Sequence, residues 1–302
     1  MTRPAVALDR IRKAFGAAIA VADLSLVVPS GAIHGVLGPN GAGKTTTLRI
    51  MTGVLRPDSG RVCVLGAADP AAVKPRLGYL PEEKGLYRKM RVVELVRYFG
   101  QLKGLSKQRA QTRALQLLEA FGLADRARAR CETLSKGMGQ KVQLIGALIH
   151  EPDLLVLDEP LSGLDPVNVE LVRHVIVEQK RAGRTVVIST HVMEQAEQIC
   201  DEITLVNRGR ALLEGSLDAL RAQAGRTIVV DYEGDGARLE RLPGVERIND
   251  AGHRAELSLA RDADPDAILR ALLPHLRITR FDLRAASLHE IFVRSVSADG
   301  AR

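Results

Sequence analysis

Short apolar runs without alternation punctuate the first two thirds of the chain. Ile33-His34-Gly35-Val36-Leu37, Leu154-Leu155-Val156-Leu157 and Thr185-Val186-Val187-Ile188-Ser189 are bounded by Gly, Pro and charged residues, and each predicts a buried strand. Helical spacing lies between them. Val92, Leu95, Val96, Phe99 and Leu102 predict a helix over 92–102. Ser106 caps the next, whose face carries Ala110, Ala114, Leu117, Leu118 and Phe121 before Gly122 ends it. Further helices are expected over 135–149, 169–181 and 192–200, with Gly183 closing the second. Residues 3–15, 21–28, 61–65 and 77–80 read as strands, and 203–207 pairs with 211–214 across Arg208-Gly209. Unalternating strands between helices imply an α/β fold with a parallel sheet covered on both faces. Residues 92–130 read as a helical insertion, and 216–223 as the helix that closes the domain. After Gly225 the character changes: Thr227 to Tyr232 alternates, and short strand and helix patterns run to the end. The expected division is therefore 1–225 and 226–302, with a helical subdomain at about 90–150.

Composition narrows the class. In 302 residues, 46% are hydrophobic, yet no run approaches the ~20 apolar residues that span a bilayer. No secretory leader is visible at Met1-Thr2-Arg3-Pro4, so a cytosolic location is expected. Cys63, Cys131 and Cys200 are far apart and fit neither a metal nor a disulfide spacing, so they are expected as buried apolar residues. The net charge of +7 reads as solvated faces, since no basic tail exists and aromatics are only 3%. Nucleic acid is not expected as a partner.

Gly38-Pro39-Asn40-Gly41-Ala42-Gly43-Lys44-Thr45 matches G-x-x-x-x-G-K-[ST] between a predicted strand and a helix that begins at Thr46. Glycines there let backbone N–H groups converge on a polyphosphate, helped by the helix dipole. Lys44 reaches the β- and γ-phosphates, and the Thr45 hydroxyl takes a position on Mg²⁺. Asp158-Glu159 ends the strand 154–157, at the sheet edge where α/β proteins bind ligands. Asp158 is placed to hold Mg²⁺ through water, and Glu159 to orient or deprotonate the attacking water.

With these residues in hand the sequence resembles the ATP-binding cassette (ABC) ATPases, a P-loop NTPase family. Gly38–Thr45 is similar to Walker A, Leu134-Ser135-Lys136-Gly137-Met138 to the signature, and Leu154–Pro160 to Walker B with its catalytic glutamate. Leu161–Asp165 resembles the D-loop and Ser189-Thr190-His191 the switch histidine, all in the family's order across residues 5–215. The resemblance implies ATP and Mg²⁺ as ligands, with Gly38, Pro39, Asn40, Gly41, Ala42, Gly43, Lys44, Thr45 and Thr46 around the phosphates. It implies Phe15 stacked on adenine, Glu159 and His191 as catalytic, and Thr45, Asp158 and Glu82 around the metal. Ser135 and Gly137 would touch the γ-phosphate of ATP held by a second subunit, beside Asp165 of the D-loop. One Walker A and one signature per chain imply a homodimer with two equal sites. His34, His150 and His174 lack such context and are expected to be structural.

Two features depart from the family, one after the strand 77–80 and one in the signature. Glu82 stands where Gln is usual, which adds a charge near the triphosphate, and Lys136 and Met138 stand where Gly and Gln are commonest. The segment Glu82–Tyr87 and the C-terminal Ser287–Val293 resemble a subgroup of simple exporters with separate membrane subunits, including sodium-extrusion and drug-export systems. That implies an integral membrane permease docking at residues 82–103, a location on the inner face of the cell membrane, and a small α+β accessory domain without a catalytic constellation. The rival is a soluble ABC ATPase acting as a switch on the ribosome or DNA. Such relatives usually carry two cassettes or a long coiled-coil insertion, and neither is present. A P-loop kinase is disfavoured by the signature and the switch histidine.

Overall fold

The computed structural model describes residues 3–83, 85–236, 239, 242–260 and 262–299. The chain divides into two compact units, 1–214 and 215–302.

The first unit is built on β1 (Val6–Phe15), β2 (Ala18–Val28), β3 (Ile33–Leu37), α1 (Lys44–Met51), β4 (Ser59–Val64) and β5 (Leu77–Leu80). It continues with α2 (Val92–Leu102), α3 (Lys107–Ala120), α4 (Lys136–Leu148), β6 (Leu154–Asp158), α5 (Pro166–Arg181), β7 (Thr185–Thr190), α6 (Met193–Ile199), β8 (Glu202–Asn207) and β9 (Arg210–Ser216). Six strands form the central sheet in the order β5-β6-β7-β3-β8-β9. The pairs β5·β6, β6·β7, β7·β3 and β3·β8 are parallel, as the unalternating strands predict. β3, β6 and β7 are buried at every position. Each fully buried Val or Leu there contributes about 1.5–3 kcal/mol, so the strands that carry the chemistry are fixed by apolar burial.

Outside this sheet, β1, β2 and β4 form a second, antiparallel sheet in the order β2-β1-β4. Their alternation marks a surface buried on one side only. Val6, Leu8, Leu24, Leu26 and Val28 pack against Val36, Leu48 and Met51, so this sheet backs the phosphate loop. The helical insertion is α2–α4, tied together by Gly100 and Gly146, where there is no room for a side chain against Ala110 and Phe99. α5 begins at Pro166 rather than 169, because Asp165 accepts from the Asn168 amide and Pro166 suits the first helical turn. Cys131 and Cys200 are buried as expected, whereas Cys63 in β4 is only partly covered.

The second unit holds α7 (Leu217–Ala224), β10 (Arg226–Glu233), β11 (Val245–Asp250), β12 (Arg254–Leu259), α8 (Pro265–Leu272), β13 (Arg277–Ala285) and α9 (Leu288–Asp299). Its antiparallel sheet runs β11-β12-β10-β13, and Ile228, Val230, Leu257, Ile268 and Leu272 form its core. The division falls at Gly215, ahead of the expected 225. The helix expected to close the first domain, α7, instead belongs to the second unit. Arg294 of α9 donates to the carbonyl of Ala224 at 2.5 Å, and α7 packs on α9 and β13. The expected C-terminal helix is α9, with Ser287 and Glu290 satisfying each other's amides in its first turn.

Candidate functional site

The site lies at the carboxyl ends of β3, β6 and β7. β3 feeds directly into the loop 38–43, and α1 starts at Lys44. Gly38 has φ +154°, and a Cβ there would overlap the Val206 carbonyl oxygen, so only glycine permits the chain to pass β8. Pro39, Asn40 and Gly41 are exposed on the rim, Ala42 is buried, and Thr46 is half-buried. Gly43 precedes α1 and no side chain caps that helix, so its first-turn amides are not spent on a side chain.

The Lys44 ammonium donates to the carbonyls of Gly38 at 2.8 Å and Pro39 at 3.1 Å, and lies 3.6 Å from Glu159 Oε1. It is 5% exposed and Glu159 is 8% exposed, so the two charges compensate each other in a site largely closed to water. Glu159 sits at φ 48°, a left-handed conformation that costs about 1 kcal/mol for a non-glycine residue. Its amide is held by the Ser189 hydroxyl at 2.9 Å, and its Oε1 faces His191 Nδ1 at 3.0 Å. His191 follows β7 and keeps its imidazole 44% exposed.

Asp158 closes β6 and is buried. Its Oδ1 accepts from Ser189 Oγ at 2.5 Å and from Thr45 Oγ1 at 3.2 Å. Burial pushes its pKa up, against the two hydroxyl donors that pull it down, and the neighbouring Glu159 adds to the rise. Its other oxygen, Oδ2, is buried without a hydrogen-bond partner. An orphaned carboxylate oxygen beside a threonine hydroxyl is a hard, oxygen-only donor set, which suits Mg²⁺ with several retained waters.

The remaining expected residues are distributed as follows. Phe15 ends β1 with half its surface exposed and the Lys13 ammonium 5.7 Å from its ring centroid, so it is not a core residue. Ser135 caps α4 by accepting from the Met138 amide at 3.3 Å, and both Ser135 and Lys136 are exposed. Gly137 faces Asn168 and Leu164 of the same chain. The Asp165 carboxylate is exposed, and the bond from the Asn168 amide holds its pKa below the usual range. Glu82 is exposed beyond the proline that ends β5, and it lines a cavity with Asp158 and Glu159. His34 is buried on Thr204 and His150 bonds the Leu77 carbonyl, with burial lowering each pKa to about 4.

Ser189 carries a role that the sequence alone leaves unassigned: one hydroxyl holds both Asp158 and Glu159. Its signal is a lone serine at the end of an apolar strand. Arg49 of α1 likewise reaches Glu83 at 3.2 Å, and Gln143 donates to the Glu83 carbonyl at 3.3 Å, which ties the loop after β5 to α1 and α4.

The ABC transporter family model matches residues 21–162, and that of the ATP-binding protein DrrA1-3-like C-terminal domain matches 215–296. The second match begins where the second compact unit begins. The chain is 36% identical over 292 residues to an uncharacterized ABC transporter ATP-binding protein, YhaQ, of Bacillus subtilis, covering 96% of this chain and 98% of that protein. It is 36% identical to the Nod factor export ATP-binding protein I of Rhizobium sp. strain N33, covering 97% of each chain. A solved ATP-binding subunit of an ABC transporter superposes with a TM-score of 0.67 at 32% identity, over 72% of this chain and 92% of that one. Sequence, fold and geometry agree: the chain belongs to the ATP-binding subunits of ABC transporters and is an ABC ATPase.

Proposed function

We propose that this chain is the motor subunit of an exporter, working as an ATP-dependent homodimer beneath an integral membrane permease. The observation that carries the proposal is the buried set of Lys44, Glu159 and Asp158, joined through Ser189 and flanked by Thr45 and His191. A triphosphate entering the loop takes over Lys44 from the carbonyls of Gly38 and Pro39. Moving Lys44 also frees Glu159 Oε1 from its cation, which leaves that oxygen open to accept a proton from water. Glu159 then removes the proton from the attacking water, and His191 Nδ1 holds the carboxylate in place. Thr45, Asp158 Oδ2 and Glu82 are the residues that would hold Mg²⁺. When bound, the ion neutralises charge on the β- and γ-phosphates. Phe15 stacks on adenine through its exposed face.

Dimerisation completes the site. Ser135 and Gly137 lie at the start of α4, where the positive end of the helix dipole favours an anion on the partner's nucleotide. Export follows the direction printed for the rhizobial relative. A largely apolar groove of about 320 Å³, lined by Tyr79, Pro81, Phe99, Leu102, Gly146 and His150, takes Phe99 and Leu102 from the segment expected to meet a permease. Leu102 is 63% exposed at its edge and is open to a partner there. Lys84, within that expected segment, lies outside the described residues. No helix among the described residues is long and apolar enough to cross a membrane, and in this reading the permease is a separate polypeptide.

The test is a pull-down from detergent-solubilised membranes with tagged Glu159→Gln chain, ATP and Mg²⁺. Recovery of an integral membrane protein at one-to-one stoichiometry supports the proposal. Recovery of ribosomes or nucleic acid alone moves the ATPase to the soluble switch class.

A further inference from the structure

Three consecutive residues ahead of Phe15 are gripped by one turn residue. Asp58 lies between α1 and β4. Its backbone amide donates to the Arg12 carbonyl at 2.7 Å. Its carboxylate accepts from the Lys13 ammonium through Oδ1 at 2.7 Å and from the Ala14 amide through Oδ2 at 2.7 Å. The grip falls where β1 is least regular. Pairing of β1 with β2 shifts register between Ile11 and Lys13 and again between Lys13 and Ala14, and pairing with β4 shifts between Asp9 and Arg12. A register shift disrupts the ladder that would otherwise fix the strand's course, so Asp58 sets the approach to Phe15. Its bonds from Lys13 and Ala14 hold the Asp58 carboxyl below the usual carboxylate range, so the pair stays charged at neutral pH.

The same grip decides what covers the ring. The Lys13 side chain is only 18% exposed, and its ammonium stands over Phe15 at 5.7 Å from the ring centroid. Swinging it away breaks a charge-assisted bond to Asp58. One face of the ring therefore carries a cation, while about half of the Phe15 surface stays open. A ring with a cation over one face has its other face left for a flat partner.

Resting on the reading of Phe15 as the adenine platform, we infer that Lys13 and Asp58 are positioning residues for the nucleobase: Asp58 fixes Lys13 over one face of Phe15, which leaves a single, pre-set face on which adenine stacks. Both act through Phe15 and not on the phosphates. Without the clamp the ring is free to reorient, and binding must then order it at the cost of affinity. Lys13 and Asp58 work as one unit, so removing either has the effect of removing both. The ion pair is partly exposed, at 18% and 38% for the two side chains, and screening holds the effect to about three- to fivefold in affinity.

The experiment is calorimetric titration of the full chain with ATP and, separately, with inorganic tripolyphosphate, which suits the phosphate loop but carries no base. Wild type is compared with Lys13→Ala, Asp58→Asn, their double variant, Lys13→Arg and Phe15→Ala, each in Mg²⁺. Lys13→Ala and Asp58→Asn are each expected to bind ATP about three- to fivefold more weakly, and tripolyphosphate within about twofold of wild type. The double variant should be no weaker than either single one, and Lys13→Ala should add nothing in a Phe15→Ala chain. Lys13→Arg should match wild type, since a guanidinium keeps both the pair and the place over the ring. Equal losses for ATP and tripolyphosphate overturn the inference, because they assign Lys13 to the phosphates or to the fold at large. An unchanged ATP affinity in Lys13→Ala, with a clear loss in Phe15→Ala, overturns the clamp and leaves the adenine platform standing. An unchanged ATP affinity in Phe15→Ala removes the reading of Phe15 itself, and the inference with it.

Discussion

The Ser189 hydroxyl donates to Asp158 Oδ1 at 2.5 Å while it accepts the Glu159 amide at 2.9 Å. One oxygen thus sets both the carboxylate assigned to the metal and the backbone of the assigned base. Ser189→Ala leaves the buried Glu159 amide unpaired and Asp158 Oδ1 with the Thr45 hydroxyl alone, a cost of about 1–3 kcal/mol. It also frees Glu159 to leave its φ 48° conformation. The expected outcome is a lower melting temperature and about a tenfold loss of kcat with a smaller change in KM. Thermal melts and steady-state ATPase assays check both.

Asp158 gives the site a pH dependence. Burial raises its pKa in the folded chain. The folded state then holds this proton more tightly than the unfolded state, so the group's contribution to stability is greatest at low pH and is lost as pH rises through the folded pKa. A divalent ion must displace the same proton. The extra melting temperature conferred by Mg²⁺ and ATP should therefore grow as pH rises through that window. Asp158→Asn should leave the nucleotide-free protein as stable as wild type at pH 7 or up to about 1 kcal/mol more stable. It should abolish the Mg²⁺-dependent increment. Calorimetry across pH, with and without Mg²⁺, measures both effects.

Phe15 distinguishes a binding role from a packing role. It is 51% exposed, so Phe15→Ala should change stability by less than about 0.5 kcal/mol. Loss of a stacking platform should still weaken ATP binding by about 1–2 kcal/mol, roughly five- to thirtyfold. A stability loss matching a core phenylalanine, without an affinity loss, would reverse the assignment.

The phosphate loop depends on one close approach. A methyl on Gly38 would collide with the Val206 carbonyl oxygen. Since the obstructing atom is backbone, no side-chain movement relieves the clash. Gly38→Ala should cost about 3 kcal/mol or more and abolish nucleotide binding, read by denaturant unfolding and equilibrium ATP binding.

The strands that hold the site are legible in the sequence because they are buried on both faces, which leaves unalternating runs such as Leu154–Leu157. The pairing of β1 with β4 is not legible. Val6 meets Val64 across the whole phosphate-loop unit, and periodicity reports which face is buried, never against which strand. The same limit misplaces α7: its apolar face is visible, but the core it joins is set by distant α9 and β13. At the site, Lys44, Asp158 and Glu159 are marked by spacing and by strand ends. The dual role of Ser189 and the bond from Gln143 to the Glu83 carbonyl depend on neighbours 30 and 60 residues away along the chain. No local pattern encodes them.

The central claim is that Glu159 is the base of an ATP-driven dimer. The most direct measurement is the mass of Glu159→Gln chain with ATP and Mg²⁺ by light scattering, paired with its ATPase rate. The expected result is a stable particle of twice the 32.7 kDa chain mass, retaining unhydrolysed ATP, with turnover reduced by about a hundredfold or more. Turnover within about twofold of wild type would contradict the assignment of Glu159. A variant that keeps ATP bound yet stays monomeric would contradict the dimer.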